Sequence, residues 1–255
     1  MRAAVLCDIH GNLPALEAVL AEVEASGSAD VVVCGGDAVA GPFPREVLAL
    51  LRDRGDRLRF VRGNADRNVV DGASGATADA QARWCAEQLA RDDIDFLARL
   101  PLTESVTLDG LGAVLFCHGT PRSDEEIVTR VTTDARLRAI LAGVDADVVV
   151  AGHTHSQIDR ALGRIRFVNA GSVGMPYEHE QGAYWALVGP DVELRRTPYD
   201  ADDAARRIRE TGFPEADAFA LEYVLSRYSP DETAPYFEGI AAEHERGAQA
   251  ANSEK

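Results

Sequence analysis

Seven side chains of this 255-residue chain have the chemistry to hold divalent cations: Asp8, His10, Asp37, Asn64, His118, His153 and His155. Each comes just after a short apolar run of the kind that forms a buried strand. Four of the six histidines hold such positions, which chance placement would rarely produce. His153 and His155 follow the run Asp147-Val148-Val149-Val150-Ala151, with Gly152 expected to let the backbone turn tightly. On an extended segment their imidazoles share one side, with Thr154 opposite. A lone His-x-His is weak evidence, and the upstream donors are what give it weight. Carboxylate, amide and imidazole together form the mixed N and O set that suits borderline divalent metals. Seven donors suit two four-coordinate sites sharing one bridging carboxylate. If these residues only capped strands, two carboxylates and four imidazoles would be gathered without compensation, which is costly.

The elements that must position these donors read as an α/β sheet. Ala3-Ala4-Val5-Leu6-Cys7 is a first strand, followed by a helix with Leu13, Leu16, Val19, Leu20 and Val23 at helical period and Pro14 in its first turn. Val31-Val32-Val33-Cys34 is the second strand, residues 45–54 a helix, and Leu58-Arg59-Phe60-Val61 the third strand. In such sheets ligands bind beyond the carboxyl ends of the strands, where Asp8, His10, Asp37 and Asn64 fall. Residues 70–100 turn Ala-rich and helical, a segment that either walls the site or covers a sheet face. Strands over 105–108 and 113–117 are joined by Asp109-Gly110, a hairpin signal. A helix over 134–141 leads to the strand before His153. A further strand is expected over 165–168, then a hairpin over 184–188 and 192–196 around Gly189-Pro190. Helices are expected over 201–210, 215–228 and 236–246.

The expected organisation is one domain over 1–199, a helical appendage over 200–246 and a disordered tail over 247–255. Phe219, Tyr223 and Val224, then Phe237, Ile240 and Ala241, form stripes that either cover the domain or mediate self-association into a homo-oligomer. The net charge of −16, of which residues 200–255 carry −7, argues against duplex nucleic acid or an anionic membrane as partner. No stretch approaches the ~20 apolar residues of a membrane span. The first eight residues read as a strand and not as a leader. Cys7, Cys34, Cys85 and Cys117 make no CxxC pair, so a reducing cytoplasm is the expected compartment.

Asp8-x-His10, Gly36-Asp37, Gly63-Asn64, His118 and Gly152-His153-x-His155 together resemble the ordered motif set of the calcineurin-like metallophosphoesterase superfamily. Gly171-Ser172-Val173-Gly174-Met175-Pro176 further resembles its small bacterial and archaeal phosphodiesterase branch. The resemblance spans about residues 1–190 and implies a four-layer α-β-β-α sandwich of two mixed sheets flanked by helices. It implies that Asp8, His10, Asp37 and His155 hold one metal and that Asp37, Asn64, His118 and His153 hold the other. Two divalent transition metal ions per chain are then expected, manganese before iron, zinc, nickel or cobalt. The implied activity is phosphodiester hydrolysis of a small phosphoester, with Asp37, Asn64 and His118 as catalytic groups and a metal-activated water as nucleophile. Two alternatives share the fold, a phosphoprotein or dinucleotide phosphatase and a non-catalytic scaffold.

The chain departs from the wider superfamily in one motif: the usual Gly-Asn-His-Asp/Glu reads Gly63-Asn64-Ala65-Asp66. Ala65 carries no proton, which puts efficient monoester and phosphoprotein hydrolysis in doubt. Asp66 is either structural or orients a metal ligand. Asn12 either contacts phosphate or caps the first helix, and Gly119 either opens backbone N–H groups to an oxyanion or makes a plain turn. Arg62 and Arg122 are candidate phosphate contacts, although 26 basic residues make a nearby arginine unremarkable. Cys7 and Cys117 read as small buried hydrophobes, and His179 and His244 as surface residues.

Overall fold

The computed structural model describes residues 1–253. In chain order the elements begin with β1 (Ala3–Leu6), α1 (Leu13–Ser26), β2 (Val31–Cys34), α2 (Pro44–Arg52), β3 (Leu58–Phe60) and α3 (Asn64–Ser74). There follow α4 (Ala80–Gln88), α5 (Arg91–Leu97), β4 (Thr103–Leu108), β5 (Gly112–Cys117), α6 (Asp134–Ile140), β6 (Val148–Ala151), β7 (Ile158–Leu162) and β8 (Ile165–Asn169). The chain continues through β9 (Ala183–Val188), β10 (Val192–Thr197), α7 (Ala201–Arg209), α8 (Ala216–Phe219), a π-helical stretch (Ala220–Leu225) and α9 (Pro230–Ser253).

Two mixed five-stranded sheets result, ordered β10-β9-β1-β2-β3 and β4-β5-β6-β8-β7. β1, β2 and β3 are parallel, as are β5, β6 and β8, while β9, β10, β4 and β7 pair antiparallel. The central strands AAVL, VVVC and VVVA are buried at every residue, as strands covered on both faces must be. Strand alternation assigns the two faces. Val5, Cys7 and Val33 of the first sheet share a core with Phe116, Val150 and Val168 of the second. Leu6, Val32 and Cys34 face outward onto Leu16, Val19, Leu20 and Leu48 of α1 and α2. On the far side, Val149, Ala151 and Phe167 pack under Leu137 and Ile140 of α6. This gives the expected layers, helix, sheet, sheet, helix.

Several expected elements shift. α3 begins at Asn64 itself, earlier than the helical sequence expected from residue 70. β7 was not expected: in Ile158–Leu162 only the two end residues are buried, so the sequence shows no strand period. The helix expected over 215–228 is divided between α8 and the π-helical stretch. α9 starts at Pro230 and runs through Ser253, into the expected disordered tail, and Glu254 and Lys255 lie outside the described residues.

Residues 201–225 pack on the main core, where Ala204, Ala205, Ile208, Phe213, Phe219 and Val224 join the cluster built around α1. Burying a large apolar side chain stabilises by about 1.5–3 kcal/mol each. Truncation after Tyr199 is therefore expected to leave this surface bare and the chain prone to aggregation, as read by size-exclusion chromatography with light scattering. A soluble truncation with unchanged mass distribution and full activity would overturn that role. Among the described residues no helix is long and apolar enough to cross a membrane.

Candidate metal centre

Parallel strands end on one side of their sheet, so the loops after β1, β2, β3, β5 and β6 open together on one edge of the sandwich. The seven donors meet there in two groups. One donor atom each from Asp8, His10 and His155 lie within 4.8 Å of one another, and Asp37, His118 and His153 make a second such group. Asp37 links them, with Oδ2 3.2 Å from His118 Nε2 and 3.7 Å from His10 Nε2. Asn64 Oδ1 joins the second group, 3.1 Å from His118 Nε2.

Five of the seven, Asp8, His10, Asp37, His153 and His155, have φ between 46° and 71°. That left-handed region is unfavourable for a side-chain-bearing residue, and such strain tends to be kept where function requires it. Glu215 is the one other non-glycine residue there among those described. The left-handed turns also correct the expectation for the His-x-His pair. His153 and His155 do not share a face of an extended segment; they diverge, His155 into the group with Asp8 and His153 into the group with Asp37. Gly152 serves close approach and not a left-handed turn: a Cβ there would lie 2.5 Å from Asp8 Oδ2. That carboxylate oxygen accepts the His153 N–H at 2.9 Å.

The buried donors are satisfied everywhere except toward the positions where ions would sit. Asp8 Oδ1 is fully buried without a hydrogen-bond partner, 3.3 Å from His155 Nε2. His10 Nε2 faces His155 Nε2 at 3.2 Å, two ring nitrogens with nothing between them. On each ring the other nitrogen is engaged by a backbone carbonyl: His10 Nδ1 by Ala40, His155 Nδ1 by Met175, His118 Nδ1 by Gly35 and His153 Nε2 by Glu125, at 2.8 to 3.3 Å. A carbonyl accepts, so it fixes the proton on that nitrogen and turns the other lone pair inward, as metal-bound histidines require. The Asn64 amide points its oxygen at His118. Turned over, its nitrogen would donate to His118 Nε2 at 3.1 Å and His153 Nδ1 at 3.0 Å, the better arrangement without a cation. With a cation between the imidazoles, the oxygen belongs inward as a ligand. The donor set therefore fits a pair of divalent cations.

Electrostatics of the metal-free chain agree with this. Burial alone would lower the His118 pKa, but the Asp37 and Asp8 carboxylates outweigh it and raise the imidazole to about 10. Burial likewise opposes charge on Asp37, yet His118 and His10 hold it well below the usual carboxylate range. Burial and the neighbouring His118 lower His153 to about 4. The raised His118 value contributes stability to the metal-free chain that is complete below about 6.5. That contribution is lost as pH climbs through about 10. A metal must displace the same proton. Calorimetric titration with manganese at pH 7 in two buffers of different ionisation enthalpy is expected to read release of about one proton per chain, with affinity weakening as pH falls. Binding without proton release would contradict an imidazolium at His118.

The remaining candidates resolve differently. Asn12 is not a substrate contact: it is wholly buried, its oxygen caps α1 at Ala15 N, and its amide nitrogen donates to the Gly174 carbonyl. Gly119 is buried, and a Cβ there would lie 2.8 Å from the Glu126 carbonyl, so packing against the 123–126 turn explains the glycine. Asp66 is structural. It is fully buried, and its carboxylate accepts the N–H groups of Ala38 and Val39 at 2.9 and 3.1 Å, holding the loop after Asp37. Burial and the nearby Asp37 raise it to about 7. Arg62 and Arg122 are paired with Asp124 and Glu126.

The four cysteines are free and buried, and His179 and His244 are exposed. The segment over 70–100 fills both expected roles. Asp79, Gln81, Ala82 and Cys85 line a cavity of about 210 Å³ beside His10 and Ala65, while Trp84 packs edge-on against Phe213. Sequence reasoning missed Tyr177, whose ring stacks on His155 with centroids 5.0 Å apart. Its place directly after Met175-Pro176 was the available signal.

Comparison with known proteins follows the same pattern. Residues 1–189 match the family described as the calcineurin-like phosphoesterase superfamily domain. The chain is 29% identical to an uncharacterized protein of Methanocaldococcus jannaschii, over 83% of this chain and 93% of that protein. It is 26% identical to a symmetrical bis(5'-nucleosyl)-tetraphosphatase of Klebsiella pneumoniae, over 88% of this chain and 80% of the relative. Among solved structures it resembles a metallophosphoesterase from Sphaerobacter thermophilus with a TM-score of 0.70 and 26% identity, covering 88% of this chain and 98% of that one. It shares its fold with a hypothetical protein from Pyrococcus horikoshii, with a TM-score of 0.75, 22% identity and 89% and 99% of the two chains covered.

Proposed function

The chain belongs to the calcineurin-like phosphoesterase superfamily, and from that premise we propose that it is a dinuclear metal-dependent phosphodiesterase. Asp8, His10, Asp37 and His155 are its ligands for one ion, and Asp37, Asn64, His118 and His153 for the other. The observation that carries the reading is the position of Asp37 Oδ2 between the two groups, within 3.7 Å of an imidazole nitrogen in each. Bound divalent cations would supply Lewis-acid polarisation of the phosphoryl oxygens and a water acidic enough to attack at neutral pH. The protein's own part is to hold the donors rigidly. Asp37 Oδ1 accepts the Ala65 N–H at 2.8 Å, and the strained turns fix the imidazoles before substrate arrives. Ala65 leaves no proton donor at that position, which favours diesters with weakly basic leaving groups over alkyl monoesters.

A second reading, hydrolysis of (di)nucleotide phosphate linkages, is supported by the Klebsiella pneumoniae relative and by an aromatic cavity beside His155. The non-catalytic scaffold reading is disfavoured by the completeness and strain of the donor set. One experiment separates the three: manganese-reconstituted protein assayed against a bis-aryl phosphodiester, an alkyl phosphomonoester and a dinucleoside polyphosphate. Turnover of the diester well above the monoester supports the proposal, preference for the polyphosphate transfers it to the second reading, and no turnover of any leaves the scaffold.

A further inference from the structure

Four of the six tyrosines, Tyr177, Tyr223, Tyr228 and Tyr236, meet with Phe237 around a cavity of about 290 Å³. The wall starts at the metal centre. Tyr177 stacks on the His155 imidazole with the planes 23° apart, then meets Tyr228 edge-on at 6.1 Å and Phe237 at 5.9 Å. Tyr223 also lines the smaller cavity beside His10 and Ala65, so the two spaces share a wall. It is carried on the π-helical stretch, a geometry that recurs at functional sites.

Rings that only fasten the appendage would be buried, as Phe213 and Phe219 are at 4% and 5% exposure. Tyr228 and Tyr236 are instead 40% and 68% exposed. Among the described residues none of the four hydroxyls has a hydrogen-bond partner, whereas those of Tyr184 and Tyr199 are both bonded. The rim carries Glu222 and Glu232. Glu232 is taken up by Ser229, while Glu222 makes no hydrogen bond or ion pair among the described residues.

We propose that this tyrosine-lined cavity is a binding subsite for the nucleobase of a nucleoside phosphoester, stacked between the rings with its phosphate at the paired metal ligands. Flat heteroaromatic rings suit such walls, and the Glu222 carboxylate is left to accept a hydrogen bond from an exocyclic amino group. The acidic rim also repels phosphate, so the base enters and the phosphate stays on the side of His155. This subsite rests on the phosphoester-hydrolase reading and names the substrate class of that same site.

The test compares two esters with one leaving group, adenosine 5'-(4-nitrophenyl phosphate) and methyl 4-nitrophenyl phosphate, on the manganese-loaded full chain. The wild type is expected to prefer the adenosine ester. In Tyr228→Ala and in Tyr236→Ala the ratio of kcat/KM values for adenosine over methyl ester is expected to fall roughly 5- to 100-fold, the weight of one lost base-stacking ring. Tyr228→Phe keeps the ring and is expected to keep the ratio. Adenosine itself, which has no phosphate, is expected to bind the metal-free chain in saturation-transfer NMR and to lose that signal in Tyr236→Ala, a substitution at the protein surface. If neither ester is hydrolysed, the hydrolase reading fails while the adenosine signal still judges the cavity. An unchanged ratio in both alanine variants, or no adenosine signal with the wild type, overturns the subsite.

Discussion

Asp37→Asn is expected to empty both metal positions and to reduce turnover roughly 10³-fold or more, since Lewis-acid stabilisation by bound cations supplies several kcal/mol. The geometry makes this residue different from the other donors. Its Oδ2 lies near an imidazole of each group while Oδ1 is held by the Ala65 N–H, so one neutralised carboxylate withdraws charge from both ions. Asparagine keeps the size and one acceptor for Ala65, which separates loss of charge from loss of fold; circular dichroism of the metal-free variant checks the latter. Elemental analysis after manganese reconstitution is the direct readout, with two ions expected for the wild type and fewer than one for the variant. A wild type that never exceeds one ion per chain would end the dinuclear reading. His179→Ala is the control. That exposed side chain lies 3.8 Å from Asp231 and touches no donor, so metal content and turnover are expected to stay as they are.

The second large effect follows from Ala65. A positioned general acid contributes roughly 10² to 10⁴ in rate and matters most when the departing oxygen is strongly basic. The structure removes the nearest substitute. Asp66 is buried with its carboxylate turned to the N–H groups of Ala38 and Val39, away from any substrate. The leaving group must then carry its own charge, so log kcat/KM for a series of aryl diesters is expected to fall steeply with leaving-group pKa wherever chemistry limits the rate. Ala65→His is expected to flatten that slope by helping basic leaving groups most, and the 210 Å³ cavity beside Ala65 gives the new ring space. A flat line for the wild type would mean that another group donates the proton.

The sequence by itself determined which donors exist and that they lie together. Runs such as Val31-Val32-Val33-Cys34 and Val148-Val149-Val150-Ala151 can only be doubly covered strands, and parallel strands deliver everything beyond their ends to one edge. Asp8, Asp37, Asn64, His118 and His153 were legible for that reason, as was α1, whose Leu13, Leu16, Val19, Leu20 and Val23 are all buried. Tertiary structure alone decided how the donors are divided. The sorting of His153 from His155 depends on left-handed backbone at both, which is set by the contact of Gly152 with Asp8 across 144 residues of sequence and not by local pattern. It also decided the fate of Asn12 and Asp66, since a short polar side chain beside a tight turn reads the same whether it meets substrate or backbone N–H groups. β7 escaped because an edge strand with apolar residues only at its ends has no period to detect. The tyrosine cavity escaped for the opposite reason. Its rings were plain in the sequence as helical stripes and one residue after a proline, but their convergence on His155 depends on how the appendage docks, and docking is a property of packed surfaces that no local periodicity records.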